Sequence, residues 1–138
     1  MSKEKGRARV LTTPEFKRVI KMQTNTKFGL RNVVLLHLSF YLGLRAKEMS
    51  SLRVGDITDS TGALKNEVLL KRKMTKGNKQ KRFYLTSDKL TKVLIKYLEK
   101  RKSDGTDQPD APLVLYQKGG RFTPNSLQQL FSRIYHAV

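Results

Sequence analysis

The segment from Leu35 to Ile57, LLHLSFYLGLRAKEMSSLRVGDI, most constrains the fold of this 138-residue chain, because a nearly unbroken apolar run ends within it at Gly43. Arg45 follows two residues after that glycine, and Glu48 follows three residues later. Packing of an apolar helix would fix the backbone of Arg45, so that its guanidinium could offer a planar fork of donors to a phosphate. The alternative is a surface arginine near a helix end, favoured there by the helix dipole. Glu48 would either orient that guanidinium or be an exposed helix charge.

The charge balance predicts a polyanionic partner. The chain has 29 Lys and Arg residues against 11 Asp and Glu residues, which gives a formal net charge of +18. Cations at this density bind phosphate backbones because they release condensed counterions. The positive charge is spread along the chain rather than confined to one helix face, which disfavours a membrane-surface helix. Nucleic acid is therefore the favoured partner, with a solvated basic surface as the alternative.

Several other classes are disfavoured by what the sequence lacks. No window approaches the ~20 apolar residues of a spanning helix, and the charged start MSKEKGRARV does not resemble a secretory signal. The chain has no cysteine and only two histidines, His37 and His136. It also contains no phosphate-binding G-x-x-x-x-G-K-[ST] loop and no G-x-S-x-G nucleophile motif. We expect a cytoplasmic protein (bacterial, archaeal or phage-host cytosol) with no metal site, cofactor, small-molecule substrate or membrane partner.

Periodicity and capping signals predict a mostly helical domain over residues 11–138, preceded by a basic arm at residues 1–10. Thr12 and Glu15 form a capping-box pattern, with Pro14 in the first helical turn. A polar loop is expected over residues 23–27, and a polar surface loop over 103–112. The predicted helices are Thr12–Lys21, Gly29–Leu42, Ala46–Leu52, Ser87–Lys102 and a last one from Thr123-Pro124, with Leu127, Leu130, Phe131, Ile134 and Val138 on one stripe.

Two basic segments predict a hairpin. Glu67–Lys73 and Lys81–Thr86 have strand character, and Gly77-Asn78 between them is a turn signal. The predicted fold class is therefore α+β, mostly helical with a small antiparallel β-sheet. Lys76 would lie at the hairpin tip, where it could reach the minor groove or protonate a leaving oxygen. The alternative is a solvated lysine that protects the sheet edge.

The two basic elements occur together in a recognisable order. The string G-L-R-x-x-E-x-x-x-L-x-x-x-D-I, followed after 18 residues by K-G-N-K-x-x-R-x-x-L, resembles the catalytic domain of the tyrosine recombinases, the phage-integrase family. The opening Leu11-Thr12-Thr13-Pro14-Glu15 also resembles the start of this domain. The ordered combination spans residues 11–86.

The resemblance implies site-specific DNA breakage and rejoining through a 3′-phosphotyrosyl intermediate, during integration or excision of a mobile element. Arg45 matches the first catalytic arginine, which clamps the scissile phosphate. Glu48 (or Asp56) matches the acidic support position, and Lys76 matches the hairpin lysine that protonates the leaving 5′ oxygen. No metal or cofactor would be required, since the tyrosyl ester conserves the bond energy. Backbone contacts to double-stranded DNA are expected from Lys71, Arg72, Lys73, Lys79, Lys81 and Arg82.

The sequence also departs from the family pattern. No H-x-x-R box occurs, and Tyr135 is better explained as a helix-face tyrosine than as the nucleophile. We therefore expect a partial catalytic domain that lacks the C-terminal catalytic half and the preceding core-binding domain, and that is inactive by itself. An incomplete domain would leave the apolar stripe of the last helix short of partners. This predicts a homo-oligomer, formed on DNA or through that surface, or else a loosely packed C-terminus.

Two non-enzymatic alternatives stay open. Residues 31–52 hold two predicted helices around Gly43 and could form a helix-turn-helix regulator, although Ala46–Leu52 offers only Lys47 and Ser50 or Ser51 for reading bases. An RNA-binding or ribosome-associated protein would fit the charge alone. That class stacks bases on exposed sheet aromatics, for which Phe83 and Tyr84 are few.

Overall fold

A computed structural model describes residues 11–75, 77 and 79–136 of the chain. Over these residues the fold is α+β and mostly helical, with one two-stranded antiparallel sheet, which confirms the predicted fold class. The predicted basic arm at residues 1–10 lies outside the described part. The helices are α1 (Thr13–Thr24), α2 (Gly29–Leu42), α3 (Ala46–Ser51), α4 (Val54–Ile57), α5 (Asp88–Ser103) and α6 (Pro124–His136), and the strands are β1 (Glu67–Leu70) and β2 (Lys81–Tyr84).

Helix α1 begins at the predicted capping box and ends later than expected. The Thr12 hydroxyl accepts from the Glu15 amide at 3.3 Å, while the Thr12 amide donates to the Glu15 carboxylate at 3.0 Å. The helix continues through Gln23 and Thr24, which the sequence assigned to a loop. Gln23 is buried and accepts a hydrogen bond from Asn32 of α2 at 2.8 Å, so a tertiary contact stabilises the extra turn.

Helix α2 is the centre of the core, with the bounds that its apolar run predicts. Val34, Leu35, Leu36 and Leu38 are at most 1% exposed, and the helix packs against α1 and α5. It ends at Gly43, whose φ of 64° is the left-handed conformation that glycine adopts at little cost. No helix in the described ranges is both long and apolar enough to cross a membrane.

The C-terminal helix is packed, contrary to the expectation of an unpartnered stripe. Leu127, Leu130, Phe131 and Ile134 are at most 6% exposed, and α6 packs against α3 and α1. The premise for self-association through this surface, or for a loose C-terminus, is therefore wrong for these four residues. The fifth stripe residue, Val138, lies outside the described residues.

The hairpin strands are shorter than predicted. They pair from Glu67 with Tyr84 to Leu70 with Lys81, so that the chain leaves the sheet before Lys71. A 3-10 turn, Arg72–Met74, follows and buries Met74. The Thr75 hydroxyl then accepts from the Lys79 amide at 3.0 Å and donates to the Lys79 carbonyl at 2.6 Å. A side chain therefore braces this long connection, in which Gly77 has a φ of 89° and Asn78 lies outside the described residues.

Helix α5 is joined to the following loop by a buried arginine. Arg101 is 4% exposed, and its guanidinium donates to the carbonyls of Thr106, Pro112 and Leu113 at 2.6–3.2 Å and to the Tyr97 hydroxyl at 3.0 Å. The Tyr97 hydroxyl in turn donates to the Leu113 carbonyl at 2.6 Å, and burial raises its pKa. The predicted polar loop at 103–112 is thus fixed against the helix.

Candidate nucleic-acid interface

Arg45 lies where two helices meet. Gly43 ends α2, Leu44 is 1% exposed, and Arg45 has an extended backbone (φ −87°, ψ 161°) just before α3 begins at the buried Ala46. The residues on either side are therefore anchored in the core while the Arg45 side chain is half-buried. The backbone at Arg45 is therefore fixed by packing, as the sequence predicted, while contact of its guanidinium with a phosphate stays a prediction.

Glu48 links Arg45 to the hairpin. Glu48 is 2% exposed, and its carboxylate accepts from the Arg45 backbone amide at 2.8 Å and lies 3.4 Å from the ammonium of Lys81. The alternative of an exposed helix charge is therefore wrong. Glu48 acts on the backbone at Arg45, and it ties the start of β2 to the start of α3.

The basic residues before the loop surround a turn and do not lie on a strand. The sequence placed Lys71, Arg72 and Lys73 in the first strand, but Lys71 follows its end and the other two begin the 3-10 turn. Successive side chains in such a turn point about 120° apart. All three are exposed, so the segment directs cations in several directions from one place.

The remaining predicted DNA contacts lie along the return of the hairpin. Lys79 is exposed, Lys81 is partly exposed beside Glu48, and Arg82 pairs with Glu67 across the outer face of the sheet at 2.8 Å. Lys76 lies outside the described residues, and its role stays a prediction. Its flanking segment is held at Thr75, which is 2% exposed and bonded to Lys79.

The structure also brings together residues that the sequence analysis did not select. An open cleft of about 270 Å³ lies between α3, α4, the 3-10 turn and the segment before α6. Arg53 and Arg121 line it beside Lys71 and Lys73. Arg53 lies eight residues after Arg45, but nothing in the local sequence links Arg121 to either residue.

The burial of α3 and of the hairpin aromatics bears on the helix-turn-helix and RNA-binding alternatives. Four of the six residues of α3 are buried, namely Ala46, Glu48, Met49 and Ser50. A recognition helix would need to present several of these side chains to bases, so the arrangement does not favour a helix-turn-helix reader. On the sheet, Tyr84 is 53% exposed whereas Phe83 is 6% exposed, which leaves one outward aromatic in the described hairpin.

Tyr135 lies on α6 and is partly buried. Its ring centroid is 5.7 Å from that of Phe131, a core residue one turn earlier. This is the helix-face position that the sequence analysis favoured over a nucleophile. Within the described residues no cluster of His, Asp or Glu could hold a metal ion.

Comparison with known proteins identifies the family. The model of the phage integrase family matches residues 9–138. Tyrosine recombinase XerC of Bacillus pumilus is 31% identical over 114 residues, and XerC of Pelobacter propionicus is 29% identical over 120 residues. These alignments cover 80% and 85% of this chain and 35% and 36% of the relatives, so the chain spans about a third of their length.

A solved structure supports the same fold. The crystal structure of XerA recombinase superposes with a TM-score of 0.66 at 20% identity, covering 92% of this chain and 42% of that one. The chain belongs to the phage integrase family, the tyrosine recombinases.

Proposed function

We propose that this chain is the DNA-binding part of a site-specific tyrosine recombinase that breaks and rejoins DNA in integration or excision of a mobile element. The observation that carries the proposal is the arrangement around Glu48. Its buried carboxylate holds the Arg45 amide at 2.8 Å and the Lys81 ammonium at 3.4 Å, so two basic elements meet on one face. Family membership and the names of the XerC relatives support it.

In this proposal Arg45 contacts the scissile phosphate. Attack by a tyrosine hydroxyl on phosphorus places negative charge on the non-bridging oxygens, and a fixed guanidinium stabilises that charge through paired N–H donors. Glu48 positions the arginine through its backbone. Lys76, which follows Thr75 in the chain, gives a proton to the leaving 5′ oxygen, so that the oxygen departs as a hydroxyl.

The surrounding cations contact the DNA backbone. The exposed residues Lys71, Arg72, Lys73 and Lys79 lie in the connection between β1 and β2, and β2 begins at Lys81, the partner of Glu48. Contacts of this kind provide affinity and orientation without reading sequence. We therefore propose weak, salt-sensitive binding to double-stranded DNA, in the cytosol of the host cell, with little sequence preference.

This polypeptide by itself binds DNA and does not recombine it. Its 138 residues contain no H-x-x-R box, so the second arginine that would share the transition-state charge has no match here. Loss of part of such a clamp costs orders of magnitude in rate.

Assembly of several copies is proposed to occur on DNA, because the four described apolar residues of the α6 stripe are already buried. Analytical sedimentation of the protein with and without duplex DNA tests this proposal.

The experiment is duplex binding by fluorescence anisotropy across a salt series. Arg45→Ala and Lys76→Ala should each weaken binding by about tenfold, which is about 1.4 kcal/mol. Lys92→Ala is the matched control, since Lys92 is an exposed cation on α5. Binding by both variants at the level of the control would contradict the proposal and favour a basic DNA-binding module of another kind.

A further inference from the structure

The open cleft beside α3 carries a concentrated positive charge. Its lining holds four cations and one carboxylate, a formal charge of +3, together with Ser51 and Met74; the charged residues are Arg53, Asp56, Lys71, Lys73 and Arg121. Like charges this close repel one another, and an anion among them relieves that repulsion. The volume of about 270 Å³ equals roughly nine water molecules at ~30 Å³ each, which is room for a phosphate group and some hydration.

Backbone contacts fix the part of the chain that carries Arg53. The Asp56 carboxylate accepts from the Arg53 amide at 2.7 Å. The next two amides, those of Val54 and Gly55, donate to the carbonyls of Ala111 and Pro109 at 2.9 and 2.8 Å. The loop that Arg101 fastens to α5 therefore also holds Arg53, while the Arg53 side chain stays exposed.

The backbone at Arg121 is also held by a hydrogen-bonded contact. It forms a single antiparallel bridge with Leu115, after a turn in which Gly119 and Gly120 have φ values of 84° and 75°. Its side chain is exposed. Two anchored backbones thus present guanidinium groups to one open space, which reduces the conformational entropy lost when an anion binds.

We propose that this cleft binds a backbone phosphate of duplex DNA, different from the phosphate contacted by Arg45, and that Arg53 and Arg121 position the duplex through it. The inference rests on the proposed function. Arg45 precedes α3 and Ser51 ends it, and six helical residues span roughly 9 Å. A separation of this size exceeds the ~3.4 Å axial advance between neighbouring phosphates of one strand, so the two sites would contact different phosphates. A phosphate in the cleft would therefore set which phosphate reaches Arg45.

The test combines binding to a duplex with binding to inorganic phosphate. The double variant Arg53→Gln/Arg121→Gln should bind duplex at least fivefold more weakly, with the slope of log affinity against log salt reduced by about 0.9, the value for one phosphate. Lys92→Gln/Lys96→Gln removes the same charge from exposed positions on α5 and should leave the slope unchanged. Because both arginines share one phosphate, the two single substitutions should be non-additive; strict additivity would overturn the single site.

A titration with inorganic phosphate tests the anion site in the cleft independently of the proposed DNA-binding function. In amide NMR spectra at low salt, saturable shifts should appear at residues 51–56, 72–74 and 121 and vanish in the double variant. If duplex binding depends on Arg45 but the double variant binds like the control, the proposed phosphate site in the cleft is wrong and the proposed DNA-binding function is retained. Phosphate shifts without any duplex binding would overturn the function and support the anion site. Shifts spread equally over all basic segments would overturn the cleft.

Discussion

Arg101 and Arg53 carry the same guanidinium group, yet the two regions around them use it differently. Arg101 is 4% exposed, and its hydrogen-bond partners are neutral oxygens from one loop and one tyrosine. Arg53 is exposed and lines an open cleft with other cations. In the first region the protein itself satisfies the donors, so the residue holds the fold together. In the second region the side chain is accessible to an external anion.

Arg31 extends the comparison within the interior. It is 7% exposed, donates to the Asn32 side chain and the Leu115 carbonyl, and lies over the rings of Phe28 and Phe122. Burial lowers its pKa from the ordinary value, because the protein interior disfavours the charged form. A count of arginines alone would therefore overstate the charge that can meet DNA.

The largest effect is expected at Arg101. Arg101→Ala should lower the free energy of unfolding by about 3 kcal/mol, because buried carbonyls lose their donors. Urea denaturation measures this. Lys100→Ala is the control, since its exposed pair with Asp104 at 3.1 Å should contribute within about 0.5 kcal/mol. Equal stability of the two variants would contradict the structural role of Arg101, because it would mean that water replaces the guanidinium as a hydrogen-bond donor.

Glu48 should give the next largest effect. Glu48→Ala removes the acceptor of the Arg45 amide and should cost about 2 kcal/mol of stability. Glu48→Gln keeps an acceptor oxygen and should cost about 1 kcal/mol. The two variants are compared by urea denaturation at one pH. If Glu48→Ala were as stable as wild type, the proposed support of Arg45 through its backbone would be contradicted.

His37 provides a pH-dependent test of the interior. It is 6% exposed, its Nδ1 is 2.7 Å from the Val33 carbonyl, and burial lowers its pKa from the usual 6.5. Because the folded state binds the proton less readily, its contribution to stability is complete above pH 6.5 and is lost as the pH falls through the lowered value. Urea denaturation at pH 7.5 and at pH 5.5 should show this decline. His37→Gln should lose it, and an unchanged decline would assign it elsewhere.

The smallest change in stability is expected at Arg82, which sharpens the contrast with Arg101. Its pair with Glu67 is about half exposed, so Arg82→Ala should alter stability by no more than about 0.5 kcal/mol. The same substitution should weaken duplex binding and lower its salt dependence. Thermal unfolding and anisotropy on the same samples measure both. A large loss of stability with unchanged binding would move Arg82 to the structural group.

Local signals in the sequence predicted the helices well and the hairpin less well. The capping box at Thr12 determines the start of α1, and Gly43 determines the end of α2, both through contacts within a few residues. The end of β1 before Lys71 depends instead on burial of Met74 and on the Thr75 bridge, which no strand propensity encodes. Helix α4 was missed because four residues give no period to recognise.

In the candidate site too, contacts between residues close in sequence could be predicted, whereas contacts between distant residues could not. Arg45 and Glu48 are three residues apart, so their contact follows from helix geometry and could be predicted. Lys81 joins Glu48 from 33 residues away, and Arg121 joins Arg53 across 68 residues. These meetings depend on the packing of the hairpin and of the segment before α6 against α3. Sequence spacing carries no information on them.

The most direct test of the central claim is an amide NMR titration of the chain with a random-sequence DNA duplex at low salt. The claim is that DNA meets the face formed by α3, α4 and the hairpin. We expect the shifts to be concentrated at residues 45–56, 71–82 and 121, with little change on the outer face of α5 around Lys92 and Lys96. Shifts confined to α5 or to the outer face of α1, or spread evenly over every lysine and arginine, would contradict it.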